Sequence, residues 1–427
     1  MQDINAVSVL KARRIHDFTG GRYRSLAIRN GRVLATSDDH DALDGLASSP
    51  ADIQDAGDIT FIPGFFDAHT HFLFAALARR QGVSMEEVRA LGGFPDASQD
   101  DRIAAIEDLG HMFARLGVTT IRDVGVQRPE MLAYHLAHRA GRLPIRARVL
   151  LRLDPRLSVA DKIAELDAWP VSSGFGDDKL RVDAAILIAD QPVDDAATFT
   201  GYATDPDHRG ILHASDEDMA EVVSAAVDRG WRVTCSAAGD RAVEQILTVY
   251  EAEIAKRPGL PAGWFCIEHA MLVTPAQQAR VSAAGIAVTL QSSAVYGIAA
   301  DMRRHWGPEM AARAVPVADW LRADALLAAG SLYNAGPANP LASVWMMTTR
   351  QTSQGDILGP AQAVTRKQAL YLCTVGGRRV FDGLRGGPLA PGQPVDLAGY
   401  HVDPADCDLD SLPELTPALT LLAGEPI

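Results

Sequence analysis

Phe61-Ile-Pro63-Gly64-Phe-Phe-Asp67-Ala-His69-Thr-His71-Phe72 joins an extended, apolar stretch to a histidine pair, and it decides how the rest of the chain is read. Side chains along a strand alternate between its two faces, so Asp67, His69 and His71 are expected on one face. Two imidazoles held side by side on a rigid strand suit a divalent metal better than a packed core. Burying them beside a carboxylate without a partner would be costly.

Outward from this stretch the chain alternates between strand and helix patterns. Strands are expected near Ile62–Phe72, Val118–Val124, Arg146–Leu153, Leu180–Ala189, Arg232–Ala237, Phe265–Leu272, Ile286–Gln291 and Ala325–Leu332. Helical periods fall between most of them, at Asp101–Leu116, Glu217–Arg229, Ala242–Ile254 and Gln277–Ala284. Thr274-Pro-Ala-Gln277 and Thr365-Arg-Lys-Gln368 each read as a capping box that starts a helix. About eight strand-helix units imply parallel strands closed into a (β/α)8 TIM barrel, whose active site lies at the carboxyl ends of the strands. His69, His71 and the later His269 fall at such ends. Three stretches are expected as loops over the mouth: Leu73–Asp100 with its Gly- and Asp-rich end, Ser292–Pro308, and Tyr333–Pro340. Phe72, Phe74, Tyr296 and Trp306 are available there for apolar contact.

The first 60 residues read differently. Asn30-Gly31 sits between two alternating runs, the strongest short signal for a hairpin, because a type I′ turn needs positive φ at both central residues. Turn and strand signals return near the carboxyl end, at Gly387–Pro394 and Val395–His401. Residues 1–60 with 385–427 are therefore expected to form a small β-sandwich domain, with the barrel, residues 61–384, inserted between the two pieces.

Composition narrows the function. The 427 residues are 47% hydrophobic and 22% charged, and 40 basic against 54 acidic residues give a formal charge of −14. That balance argues against nucleic acid as a partner, since phosphates demand a basic face. Cys235, Cys266, Cys373 and Cys407 are too few and scattered for a disulfide framework, which fits a reducing compartment. No basic start followed by an apolar core and no run of membrane-spanning length is found, so a cytoplasmic protein without membrane association is expected. A small-molecule substrate is the expected partner, with a homodimer as the default assembly.

The motif Pro63-Gly-Phe-Phe-Asp-Ala-His-Thr-His71 resembles the amidohydrolase superfamily, and the likeness runs along nearly the whole chain. It continues through Gly117-Val-Thr-Thr-Ile-Arg-Asp123, Gly239-Asp-Arg-Ala242, Ile267-Glu-His-Ala270, Gly330-Ser331 with Asn339-Pro-Leu341, and Gly387-Pro-Leu-Ala-Pro-Gly392. Order and spacing are most similar to the subgroup that contains N-substituted formamide deformylase. The resemblance implies metal-assisted hydrolysis, with His69, His71 and His269 holding a zinc or other divalent ion that acidifies a water and polarises the scissile carbonyl. Three family ligands do not carry over: Ile186 stands for the bridging lysine, Ser236 for the fifth-strand histidine and Leu332 for the eighth-strand aspartate. A binuclear site is therefore not expected; at most one ion is, or none.

His69, His71 and His269 are thus the candidate metal ligands. His269, His71 and Asp67 are the candidate catalytic groups, Asp67 as a carboxylate that orients an imidazole. Gln291, Tyr333, Asn334 and Ser236 are candidates for substrate binding. Asp190 is expected to be a loop residue capping the next helix, Cys235 to be a small buried side chain, and Asp240 with Arg241 to form a local pair. The leading expectation is an enzyme that hydrolyses a carbon–nitrogen or related acyl bond at the barrel mouth. A metal-free barrel doing acid/base lyase, isomerase or cyclase chemistry with the same histidines is an alternative, and a non-catalytic ligand-binding or partner subunit is another.

Overall fold

The computed structural model describes residues 6–83, 96–191, 193–333 and 335–427. Two sheets organise them. The first is a mixed, eight-stranded sheet from the chain ends: β1 (Val7–His16), β2 (Arg22–Arg29), β3 (Arg32–Ser37), β4 (Ile53–Asp55) and β5 (Thr60–Pro63) from the amino end, and β14 (Leu397–Tyr400), β15 (Leu419–Leu422) and β16 (Glu425–Pro426) from the carboxyl end. β5 joins the two pieces, lying parallel to β1 and antiparallel to β14. The turn between β2 and β3 is the one expected, with φ of 52° at Asn30 and 69° at Gly31. Alternation along β1 and β2 sends Leu10, Leu26 and Ile28 into one apolar cluster and Val9 and Ala27 into another, so both faces of these strands are covered.

The second sheet is the barrel. Its eight strands, β6 (Phe65–Thr70), β7 (Val118–Val126), β8 (Arg146–Arg152), β9 (Leu180–Ile188), β10 (Val233–Ala237), β11 (Phe265–His269), β12 (Ala287–Leu290) and β13 (Leu326–Ala329), follow one another in sequence order, each parallel to the next. The ring is drawn together beyond β13, where Leu332 N donates to His69 O at 3.0 Å and His71 N to Tyr333 O at 3.0 Å. Gly330 permits this approach: a Cβ there would stand 2.5 Å from His69 N. Helices α1 (Phe72–Gln81), α2 (Gln99–Arg115), α3 (Arg128–Arg139), α4 (Val159–Asp167), α5 (Asp216–Asp228), α6 (Asp240–Lys256) and α7 (Pro275–Ala283) follow successive strands, with α1 and α2 both between β6 and β7. Both capping boxes, at Thr274 and Thr365, are formed. Among the described residues no helix is long and apolar enough to cross a membrane.

Three expectations are corrected. Ile62–Phe72 is not one strand: Gly64 separates β5, in the chain-end sheet, from β6, in the barrel. The mouth segment from Leu73 to Gln81 is helix α1 rather than loop, because Asp123 at the end of β7 accepts from its first free amides, Phe72 N at 2.8 Å and Leu73 N at 3.1 Å. Residues 84–95 of that segment lie outside the described residues. The Ser292–Pro308 segment is likewise helical, within Ser293–Ala312, with a break at Gly307.

The barrel interior is packed in layers. At the floor, Phe66, Ala68, Cys266, Ala287 and Ala328 meet Val380 and Phe381 from the short helix Gly377–Phe381. Above them lies a buried ionic layer. Arg122 bonds Asp183 at 2.6 Å and Glu268, stacks over Phe381 at 4.1 Å, and shares Asp183 with Arg232 at 2.9 Å. The histidines lie over this layer.

Candidate metal centre

Glu268 on β11 is the hub that positions the site. Its Oε1 accepts from Arg122 and from the Thr234 hydroxyl at 2.6 Å; its Oε2 accepts from His69 Nδ1 at 2.8 Å and from the Thr289 hydroxyl. The carboxylate is fully buried. Burial pushes its pKa up, but Arg122 and His69 more than offset this and hold it well below the usual range. An ionised Glu268 accepts only, so His69 carries its proton on Nδ1 and presents Nε2. That Nε2 is buried and has no hydrogen-bond partner.

The other two imidazoles are set the same way. His269 Nδ1 donates to Gln291 Oε1 at 2.7 Å, and the amide is oriented in turn by its Nε2 donating to Thr289 Oγ1 at 3.0 Å. His71 Nδ1 donates to the carbonyl of Val124 at 3.2 Å. All three histidines therefore commit Nδ1 to the protein and keep Nε2 as the free lone pair. Burial, with His69 beside it, lowers His269 to about 4; burial, His69, His269 and Arg152 lower His71 to about 3. Both are neutral near neutral pH.

His69 neighbours both other rings. His69 stands 4.7 Å, centroid to centroid, from His269 and 5.5 Å from His71. His71 does not extend the strand face as expected: β6 ends at Thr70, and His71 turns out of it (φ −94°, ψ 61°) as the residue preceding α1. His269 reaches the mouth through a left-handed backbone (φ 75°), an expensive conformation for a non-glycine residue and one that collects at functional sites. Leu332, where the resemblance expects an aspartate, is left-handed too (φ 56°).

Whether a divalent ion suits these residues is answered by the donors. Three imidazoles with Nδ1 anchored and Nε2 presented, one of them a buried orphan, have the donor chemistry of a divalent-metal site with its supporting hydrogen bonds. As the rings stand, no set of three His, Cys, Asp or Glu among the described residues is already gathered to hold an ion. The side of the barrel where a second ion would need a bridging lysine is apolar, Ile186 packing with Val124, Leu150 and Ala184.

The remaining expected site residues are placed as follows. Asp67 does not orient an imidazole: its carboxylate accepts from Ser331 N at 2.8 Å and Ser331 Oγ at 2.5 Å, and burial raises it to about 6. Glu268 and Gln291 do the orienting instead. Gln291 has both ends of its amide engaged inside the barrel. Tyr333 turns its ring edge-on to Phe113 of α2, in the helical layer, and gives the mouth its carbonyl. Ser236 lies half-buried in β10, paired in register with Glu268 and Ile188. Asn334 lies outside the described residues. Cys235 packs in the main core, and Asp190 anchors backbone amides of Ala197, Ala238 and Gly239. Asp240 and Arg241 form no ion pair: the carboxylate accepts from Phe199 N and from the Arg241 backbone, and the guanidinium donates to Gly210 O. Phe72 and Trp306 are buried, Tyr296 is exposed with its ring 6.3 Å from that of Trp345, and Phe74 stands near His71, the rings 6.5 Å apart. The residues without an expected role are Glu268, Arg122, Asp123 and Arg152. The signal for the first two was a charge inside a strand otherwise apolar enough to be buried, which requires a charged partner across the barrel.

Residues 81–427 match the amidohydrolase family. The chain belongs to the amidohydrolase family. A curated relative, the N-substituted formamide deformylase of Arthrobacter pascens, is 24% identical over 325 residues, 73% of this chain and 57% of the deformylase. The chain thus spans little more than half the length of that relative. Among solved structures, a metal-dependent hydrolase from Pyrococcus horikoshii OT3 superposes with a TM-score of 0.79 at 19% identity, covering 95% of this chain and 99% of that one. An adenosine deaminase from Xanthomonas campestris with bound zinc superposes at 0.61 and 16% identity, over 98% and 92%. These likenesses establish for this amidohydrolase the barrel and its accompanying sheet.

Proposed function

We propose that this amidohydrolase hydrolyses a carbon–nitrogen or related acyl bond of a small molecule, with one divalent ion held by His69, His71 and His269. The observation that carries the reading is the shared tautomer: three imidazoles at the carboxyl ends of barrel strands, each with Nδ1 bonded to the protein and Nε2 free. When bound, a zinc ion would acidify a water and polarise the scissile carbonyl. The chain's own groups do the rest. Glu268 and Gln291 hold His69 and His269 rigidly, Arg122 keeps Glu268 ionised, and Asp123 fixes the start of α1 and so the place of His71. Leu332 can accept no proton and the three imidazoles would be engaged at both nitrogens, so proton transfer to the leaving amine falls to solvent. The names of the deformylase, the metal-dependent hydrolase and the zinc-containing deaminase agree with this chemistry without specifying a substrate.

A second reading, metal-free acid/base chemistry at the same histidines, draws on the finding that no three donors among the described residues are already gathered to hold an ion. Turnover of an amide library separates the two. The proposed function predicts hydrolysis that EDTA abolishes and added zinc restores; turnover that survives EDTA would support the second reading and refute the first.

A further inference from the structure

Arg350 is fully buried, and among the described residues no carboxylate answers its charge; burial alone acts on it, lowering its pKa to about 10. It ends the helix Pro340–Thr349 in a left-handed backbone (φ 59°). Its guanidinium goes instead to three carbonyls: Nε donates to Leu358 O at 2.9 Å, Nη1 to Val315 O at 3.1 Å and Nη2 to Ala314 O at 2.8 Å. Gly359 admits this packing, since a Cβ there would stand 3.3 Å from Arg350 Nη2 and 2.1 Å from Ala312 O. Burying a cation without a counter-charge is costly, and only the fixed fork of arginine can hold several carbonyls at once.

What the fork holds is strained. Val315 is left-handed (φ 51°), a genuine outlier for a β-branched residue, and such a conformation persists only where its surroundings impose it. From that conformation Val315 N donates to Met271 O at 2.8 Å, two residues beyond His269. The segment so gripped is strained too. His269 (φ 75°) and Ala270 (φ 41°) are both left-handed, and Ala270 N returns across His269 to Glu268 O at 3.0 Å in a three-residue turn. The segment is also tied to β10, Ala270 N donating to Ala237 O at 2.9 Å and Leu272 N to Ala238 O at 2.8 Å. Three left-handed, non-glycine residues thus lie on two segments joined by one hydrogen bond, with the guanidinium of Arg350 closed over the outer one.

We propose that Arg350 is a positioning residue for His269: it imposes the left-handed conformation of Val315, whose N–H then fixes the segment that turns His269 to the mouth. The inference rests on the hydrolytic reading of the site, to which it adds a residue behind the metal ligands.

Imidazole nitrogen spectra of the full chain, labelled with 15N at histidine and dialysed against EDTA, test it near neutral pH. The His269 signals are assigned by their loss in His269→Gln. In the parent, His69 and His269 are each expected as one tautomer protonated at Nδ1. Arg350→Met, which removes the donors, should turn His269 into an average of two tautomers and leave His69, held by Glu268, as in the parent. If that variant does not fold, Arg350→Lys, which keeps the charge and can reach fewer carbonyls, carries the same comparison. Glycine takes a left-handed conformation without cost, so adding Val315→Gly to either variant should restore the single tautomer at His269. An unchanged His269 in a folded Arg350 variant, an equal disturbance of His69, or no recovery with Val315→Gly would overturn the proposal. A parent that binds no zinc and turns over no amide, with His269 still answering to Arg350, would leave the positioning role standing and remove the hydrolytic reading; EDTA-sensitive hydrolysis with an indifferent His269 would do the reverse.

Discussion

Glu268 accepts hydrogen bonds from Arg122, Thr234, Thr289 and His69, so it does in one residue what the sequence reading assigned to Asp67. Both acids were visible in their motifs. Which one faces an imidazole depends on Asp67 being claimed by Ser331, 264 positions along the chain, and on the left-handed turn that brings His269 round beside its neighbour. Neither follows from strand periodicity. Glu268→Gln replaces two acceptors by one and an amide donor, and removes a counter-charge from Arg122. We expect a loss of about 3–5 kcal/mol in urea unfolding, the cost of breaking a buried ion pair. Zinc affinity should fall about 10- to 100-fold, because His69 loses the group that fixes its tautomer. Calorimetric zinc titration of the folded variant measures the second effect.

At the scale of elements, all eight barrel strands were legible because each is a short apolar run between helical periods. The boundaries of the first were not. Pro63 and Gly64 permit either a continuous strand or a change of sheet, and β5 pairs with β14, more than 330 residues away, through contacts no local pattern shows. Helix α1 was also missed, since its start lacks a Ser, Thr, Asp or Asn cap; Asp123 supplies the acceptor from β7. Asp123→Ala should cost about 1–3 kcal/mol in urea unfolding by leaving two amides and the Tyr134 hydroxyl unpaired. Lys179, just before β9, gives a pH signature. Burial, with Arg146 nearby, lowers its pKa from 10.5 to about 8, while its Nζ donates to Pro144 O at 2.8 Å. A folded-state value below the unfolded one means that the unfolded chain holds more protons between these limits. Stability should therefore gain from Lys179 as pH rises from about 8 towards 10.5 and lose that gain on the way down. Urea midpoints of Lys179→Met compared with the parent across this window should lack that contribution.

At the scale of the whole molecule, the sheet from the chain ends is bonded to the barrel by charge. Arg146 of β8 is bidentate to Asp396, the residue before β14, whose carbonyl also accepts from Gly64 N at 2.9 Å. The family framework was readable along nearly the full chain, because glycines and capping boxes leave local marks. The chemistry was readable only in part. His69, His71 and His269 identify a cluster, but their common tautomer depends on Glu268, Val124 and Gln291, which converge only in the folded barrel. The account stands on those three free Nε2 atoms holding an ion together. Zinc content of the full chain, purified without chelator and dialysed against trace zinc, tests this most directly. About one zinc per chain in the parent, and none in His69→Ala, is the predicted result; a folded parent without stoichiometric metal, or a His69→Ala variant that keeps it, would contradict the account.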